Sequence, residues 1–240
     1  LAKVEQVHIK TMPDRAEAKA SPKSQETRDR IIHAALSLFR ERGFEAATMR
    51  EIADAAGVAT GAAYYYFPSK EAIILEFYQR ASTEMQAQLE TALQGLTGLE
   101  QRLCKLIRVK LSHFAPNRGV LRTLLRNGAD PQTPLSPFSR QTKEIRDIDM
   151  DWFRRILVDC GIRIPKDLAP HLPGILWFYQ MGIILFWVID ESPDQARTYR
   201  LLELSAKSVA FLVRASTLPL MRPVRKAALE MVEIVAGADF

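Results

Sequence analysis

A chain of 240 residues, 48% hydrophobic and 25% charged, has the balance of a folded protein and the length for one large domain or a small head on a larger body. The formal net charge of +5 suits a polyanionic partner, yet residues 1–80 hold 12 Lys and Arg against 11 Asp and Glu, so charge alone assigns none. Two distant cysteines, Cys104 and Cys160, and four scattered histidines exclude zinc or redox spacing, and no nucleophile–base pattern or phosphate loop points to an enzyme or a cofactor.

Residues 1–22 mix Lys, Glu, Ala and Gln with little periodicity and read as a flexible arm, without the apolar core of a signal peptide. The first firm helix is expected over 25–42, where Ile31, Ile32, Ala35, Leu38 and Phe39 recur at helical spacing and Gly43 supplies the stop. Thr48-Met49-Arg50-Glu51 fits a capping box opening a short second helix, with Ile52, Ala53 and Ala56 inside and Gly57 at its end. A third helix covers 60–67. Pro68 stops it, and Ser69 is placed to cap a fourth helix over 70–93. Further helical patterns cover 99–114, 118–127, 139–160, 168–189, 193–215 and 219–235, and Pro131, Pro134 and Pro137 make 128–137 a loop. No run shows strand alternation, so the expected fold is all-α. Residues 172–189 are free of charge and approach the length of a membrane span. Pro173 and Gln180 interrupt them and Asp190 ends them, so a buried or subunit-facing helix is expected, with no membrane partner and a cytoplasmic protein.

Three adjacent tyrosines, Tyr64, Tyr65 and Tyr66, cannot all face one core, because three consecutive helical positions sweep more than half a turn. Short helix, glycine turn, short helix is helix-turn-helix logic. The second of the two opens with Thr60-Gly61-Ala62-Ala63, small enough to let its N-terminus approach DNA closely. Thr60 can hydrogen-bond a base or phosphate, the Ala62 methyl can touch a thymine methyl, and tyrosine hydroxyls can donate to phosphates. Plainer readings stand beside these. The tyrosines can be core and rim aromatics, Thr48 can be a cap alone, Arg50 can pair with Glu51 or Asp54, and Lys70 can be a solvated first-turn lysine.

Gly43-Phe44, Thr48 to Ala53, Ala56-Gly57-Val58, Gly61 and Tyr64 to Glu71 closely resemble the TetR/AcrR family of bacterial transcriptional regulators, over residues 27–77. The resemblance implies a three-helix head with the helix-turn-helix over 23–69, joined by a long helix to a helical effector-binding and dimerisation body over 70–240. It implies operator DNA as partner, with Thr48, Tyr64 and Lys70 as phosphate contacts, Tyr66 at the DNA backbone, and Arg50, Thr60, Gly61, Ala62 and Tyr65 at bases or groove. Ala59-Thr60 stands where the family commonly has Ser-Lys, and Ala63 where Leu is common. The first change removes a charged phosphate partner, so modest salt dependence is expected.

The body carries no shared motif. Its aromatic density suggests a pocket for a small, mainly apolar effector, with Arg108, His113, Phe114, Trp152, Phe153, Trp177, Phe178 and Met181 as candidate lining. Arg122, Asp149 and Asp151 are further polar candidates. The charge-free stretch over 168–189, with 193–215, is expected to pair with its copy in a two-fold homodimer on a pseudo-palindromic operator, with Ile184 a candidate interface position. Repression released by the effector is the expected activity. The alternatives are a constitutive repressor with a solid core and a helical protein-binding adaptor.

Overall fold

The computed structural model describes residues 21–126, 128 and 130–236. Its helices are α1 (Pro22–Arg42), α2 (Met49–Ala55), α3 (Thr60–Tyr66), α4 (Lys70–Leu93), α5 (Leu99–Phe114), α6 (Arg118–Arg126), α7 (Lys143–Asp159), α8 (Leu172–Ile189), α9 (Ala196–Ala215) and α10 (Arg222–Ala236). No strand occurs among the described residues, and the all-α expectation holds. The expected arm lies almost wholly on residues 1–20, outside the described part. At Ser21 the chain is already a helix cap: its Oγ accepts from the Ser24 amide at 3.3 Å and Pro22 occupies the first turn, so α1 starts before the expected position 25.

Four body helices begin later than expected: α10 follows a 3-10 turn over Pro219–Met221, and α7, α8 and α9 are held back by local features. Ser136, Ser139 and Thr142 turn their hydroxyls onto backbone carbonyls: Ser136 Oγ donates to Gly128 O at 2.6 Å, Ser139 Oγ to Pro134 O at 2.9 Å and Thr142 Oγ1 to Ser136 O at 2.7 Å. That network offers the backbone an alternative to helix, and α7 opens only at Lys143. Before α8 the chain makes a separate turn, in which Leu168 and Ala169 both donate to Pro165 O. Before α9, Asp194 and Gln195 adopt left-handed backbone with φ of 50° and 53°. The Asp190 carboxylate holds that corner by accepting from the Ser192 amide at 2.9 Å, the Thr198 amide at 2.9 Å and the Thr198 hydroxyl at 2.6 Å.

Two hydrophobic cores result. The head core gathers Ile31 and Phe39 of α1, Ile52 of α2, Phe67, and Ile73 and Ile74 of α4. It also takes in Val120 and Leu124 of α6 and Leu135 of the following loop. The body core runs from Met85, Leu89 and Leu93 of α4 through Leu103 and Ile107 of α5 and Phe153 of α7 to Trp187 of α8 and Leu202 of α9. Helix α4 thus belongs to both. It is tied to α1 by Arg28, which reaches Glu76 at 2.9 Å, and by Arg80, which bonds Glu76 at 3.0 Å and also Asp29. Helix α8 has the length and composition of a membrane span, but it packs against α5, α6, α7 and α9.

Candidate nucleic-acid interface and effector cavity

The turn between α2 and α3 follows from its residues. The Thr48 hydroxyl accepts the Glu51 amide at 3.3 Å while Glu51 Oε2 accepts the Thr48 amide at 2.9 Å, which completes the capping box. At the other end the Gly57 amide donates to Asp54 O at 3.1 Å and the Val58 amide to Ala53 O at 3.0 Å. This is a Schellman ending, and it needs left-handed backbone at Gly57, whose φ is 66°. Ala53 and Ala63 are fully buried where α2 and α3 cross, so any larger side chain there would push the helices apart.

Helix α3 then differs from its neighbours. α1, α2 and α4 open on the hydroxyls of Ser21, Thr48 and Ser69, whereas α3 opens at Ala59 with no side-chain cap. The Ala62 amide donates to Ala59 O at 2.9 Å, and the amides of Thr60 and Gly61 are left for an acceptor from outside. On the last turn of the same helix Tyr65 is 84% and Tyr64 51% exposed. Thr48, Arg50 and Gly61 are exposed, and Thr60 and Ala62 half-exposed. Among the described residues Arg50 has neither of the ion pairs considered for it; Glu51 pairs with Arg42 at 3.0 Å instead.

Three expected contact residues are placed differently from the rest. The Lys70 ammonium is turned inward and donates to the carbonyls of Phe44, Glu45 and Ala47 at 2.8, 3.1 and 3.4 Å, over the Phe44 ring. It clamps the α1–α2 loop to the start of α4. Tyr66 is half-buried, packs on the head core and meets Tyr65 edge-to-face at 5.4 Å. The Thr48 hydroxyl donates to Glu51 Oε2 at 2.8 Å, so donation to a phosphate requires that bond to open.

In the body, a cavity of about 120 Å³ lies between α4, α5, α6, α7 and α8. Phe114, Trp177 and Met181 line it as expected, as does the polar candidate Asp149, joined by Tyr78 and Lys110 among others. The remaining candidates lie elsewhere. Arg108 sits on the opposite side of α5, bonded to Glu203 at 2.6 Å over the Tyr199 ring. His113 meets Glu84 at 3.8 Å and stands edge-on to Phe114. Trp152 and Phe153 continue the inner stripe of α7 one turn beyond Asp149, where Phe153 is fully buried and Trp152 borders a separate cleft with Leu93 and Arg155. Phe178 points outward, 46% exposed and stacked on Phe138. Ile184 lines the cavity and does not face outward. Of the further polar candidates, Arg122 pairs with Glu191 and Asp151 with Arg154, both at the surface.

The cavity wall carries a buried polar ring that the sequence reading missed. Lys110 Nζ lies 2.7 Å from Asp149 Oδ1 and donates to Gln180 Oε1 at 2.9 Å, and Gln180 Nε2 donates to Asp149 Oδ2 at 2.8 Å. Burial pulls the ammonium below its ordinary pKa, and the facing carboxylate opposes that. The signal was present in the sequence: Lys110 interrupts the apolar stripe Leu103, Leu106, Ile107, Leu111 and Phe114, where a lone charge needs a buried partner. Burial also raises the pKa of Tyr78, so its hydroxyl stays protonated.

A family model for bacterial regulatory proteins of the tetR family matches residues 31–77, and a model for the tetracyclin repressor-like C-terminal domain matches residues 102–229. The chain belongs to the TetR family. It is 34% identical over 169 residues to YerO of Bacillus subtilis, an uncharacterized HTH-type transcriptional regulator, a match covering 67% of this chain and 57% of that protein. It is 39% identical over 79 residues to the HTH-type transcriptional repressor KstR2 of Mycolicibacterium smegmatis, covering 30% of this chain and 38% of that one. The matches thus span little more than half of the first relative and less of the second. Among solved structures, a TetR transcriptional regulator from Nitrosomonas europaea superposes with a TM-score of 0.62 at 22% identity, over 77% of this chain and 98% of that one. Salmonella enterica GusR gives 0.60 at 19% identity, over 78% and 95%. These two likenesses speak to the TetR fold. The family model for the head ends at residue 77, inside α4, where that helix passes from one core to the other.

Proposed function

We propose that this TetR-family chain is a cytoplasmic, sequence-specific repressor that binds a pseudo-palindromic operator as a homodimer and is released by a small, mainly apolar effector. The observation that carries the DNA-binding part is α3 itself: an uncapped terminus and, on the last turn, exposed Tyr64 and Tyr65, held by the fixed turn at Gly57. Tyr65, Arg50, Thr60, Gly61 and Ala62 reach bases and groove, Tyr64 and Thr48 hold phosphates, and Tyr66 borders the backbone. Lys70 serves by fixing the loop before α2. Selection of genomic fragments with the purified protein should enrich one two-fold symmetric sequence. Recovery of unrelated fragments would reject the reading in favour of a protein-binding adaptor.

The dimer reading rests on outward apolar faces. Phe178, Leu185 and Ile189 follow one side of α8, with exposed Gly182 between them. Leu201, Leu204, Phe211 and Leu212 follow one side of α9. Two such helices and their copies make a four-helix bundle.

Release follows from the shared helices. Tyr78 of α4 and Leu121 and Leu125 of α6 line the cavity, while Ile73 and Ile74 of α4 and Val120 and Leu124 of α6 pack in the head core. An occupant that displaces either helix moves the head. Half-sites lie about 34–36 Å apart, so a shift of a few ångströms takes the two α3 helices out of register. A coupling of about 1–3 kcal/mol is the usual scale.

A further inference from the structure

The cavity wall is not neutral. It holds two cations, Lys110 and Arg146, against one anion, Asp149. Both Asp149 oxygens are engaged, one by Lys110 and the other by Gln180. The donors are less fully used. Lys110 has three N–H groups, of which the ring engages two. Arg146 uses Nη1 alone, toward Pro137 O at 2.6 Å and Ser139 O at 3.4 Å. Trp187, also in the wall, has its indole Nε1–H buried with no hydrogen-bond partner. A site with donors to spare and a net positive charge stabilises an acceptor-only, negatively charged head. The rest of the lining is apolar, with Phe114, Leu121, Trp177 and Met181 on its walls. An enclosed space of about 150 Å³ is known to hold one benzene ring, so this cavity matches a body of that order.

We infer that the cavity takes a small monocarboxylate, its apolar body the size of an aromatic ring or short alkyl chain and its carboxylate directed to Arg146 and Lys110. This deepens the effector reading above and rests on it. The polar ring is a scaffold that holds Lys110 in place inside an apolar wall, and Arg146 supplies the excess charge.

The test compares each acid with its shape-matched neutral amide: benzoate with benzamide, phenylacetate with phenylacetamide, hexanoate with hexanamide. Binding to the full chain at pH 7.5 is measured by calorimetry and by the fluorescence of Trp177 and Trp187. At least one acid should bind about ten-fold more tightly than its amide, the scale of one charged hydrogen bond. Arg146→Gln should remove most of that preference by weakening the acid far more than the amide, and Arg146→Lys should keep part of it, with the thermal midpoint reporting on folding. Met181→Trp, which fills the cavity, should abolish binding of both classes. Amides binding as tightly as acids, or a preference surviving Arg146→Gln, would overturn the inference while leaving an effector pocket intact. Binding of neither class would overturn both. Acid binding that leaves operator affinity unchanged would uphold the inference and reject the release mechanism.

Discussion

Exposure separates roles among side chains of the same type. Tyr65, Tyr64 and Tyr66 are consecutive, yet the first is open, the second half open and the third packed on the head core. Tyr65→Ala should therefore reduce discrimination between operator and mismatched sites by about 1–3 kcal/mol, read as relative affinities in a competition assay. Tyr64→Phe should weaken all duplexes alike, since only a phosphate hydrogen bond is lost. Lys70 has the opposite character. Its ammonium closes three carbonyls that end α1 and lead into α2. Lys70→Met should lower head stability by about 1–2 kcal/mol in denaturant titration, with the salt slope of DNA binding unchanged. Arg50→Gln, by contrast, should reduce discrimination between operator and mismatched sites by about 1–3 kcal/mol, as expected of a side chain at a base edge. The capping box at Thr48 and Glu51 was legible because both partners lie three residues apart. The inward turn of Lys70 was not, because its acceptors lie 23 to 26 residues away and are backbone oxygens, which carry no sequence signature.

Helices were read most reliably where a cap or a breaker sits in the sequence. Gly43, Gly57, Pro68 and Ser69 placed the ends of α1 to α4 to within a few residues. The starts of α7, α8 and α9 were missed, because side chains of the preceding turns hold the backbone away from helix and periodicity does not report them. Asp190 is the clearest of these devices. Burial alone would raise its pKa, but the bonds from Thr198 and Ser192 outweigh that and hold it well below the ordinary carboxylate range. A folded-state pKa below the unfolded value means that the stabilisation is present above about pH 4 and fades as the pH falls through the folded value. Asp190→Asn should lower the thermal midpoint at pH 7, and its gap to the unaltered protein should narrow as the pH drops below about 4. The outward sides of α8 and α9 carry a separate expectation. Leu185→Glu combined with Leu204→Glu should shift sedimentation toward monomer and reduce operator affinity, while the circular dichroism of the helices persists. Ile184→Glu, which the sequence alone favoured for this test, would instead place a charge against the cavity.

At the scale of the molecule, the sequence suggests a division into a head over 23–69 and a body over 70–240. The seam is less clean than that division. Val120, Leu124 and Leu135 complete the head core from 50 or more residues downstream of its last helix, and Arg40 Nη1 donates to Asn117 Oδ1 at 2.8 Å across the same junction. Nothing in residues 118–126 marks that double duty, since an apolar face reads the same whichever core it enters. If operator and effector oppose each other, saturating operator DNA should weaken effector binding by the factor with which effector weakens operator binding, measured in paired titrations. The shared core also bears on part exchange. A graft cut at residue 69 or 77 would carry the reading helices without the pieces of α6 that pack against α1, and would arrive with apolar surface uncovered. A chimera of this regulator with a foreign body should keep its DNA specificity only if the donor's counterpart of α6 is recut to fit Ile31, Phe39 and Ile74.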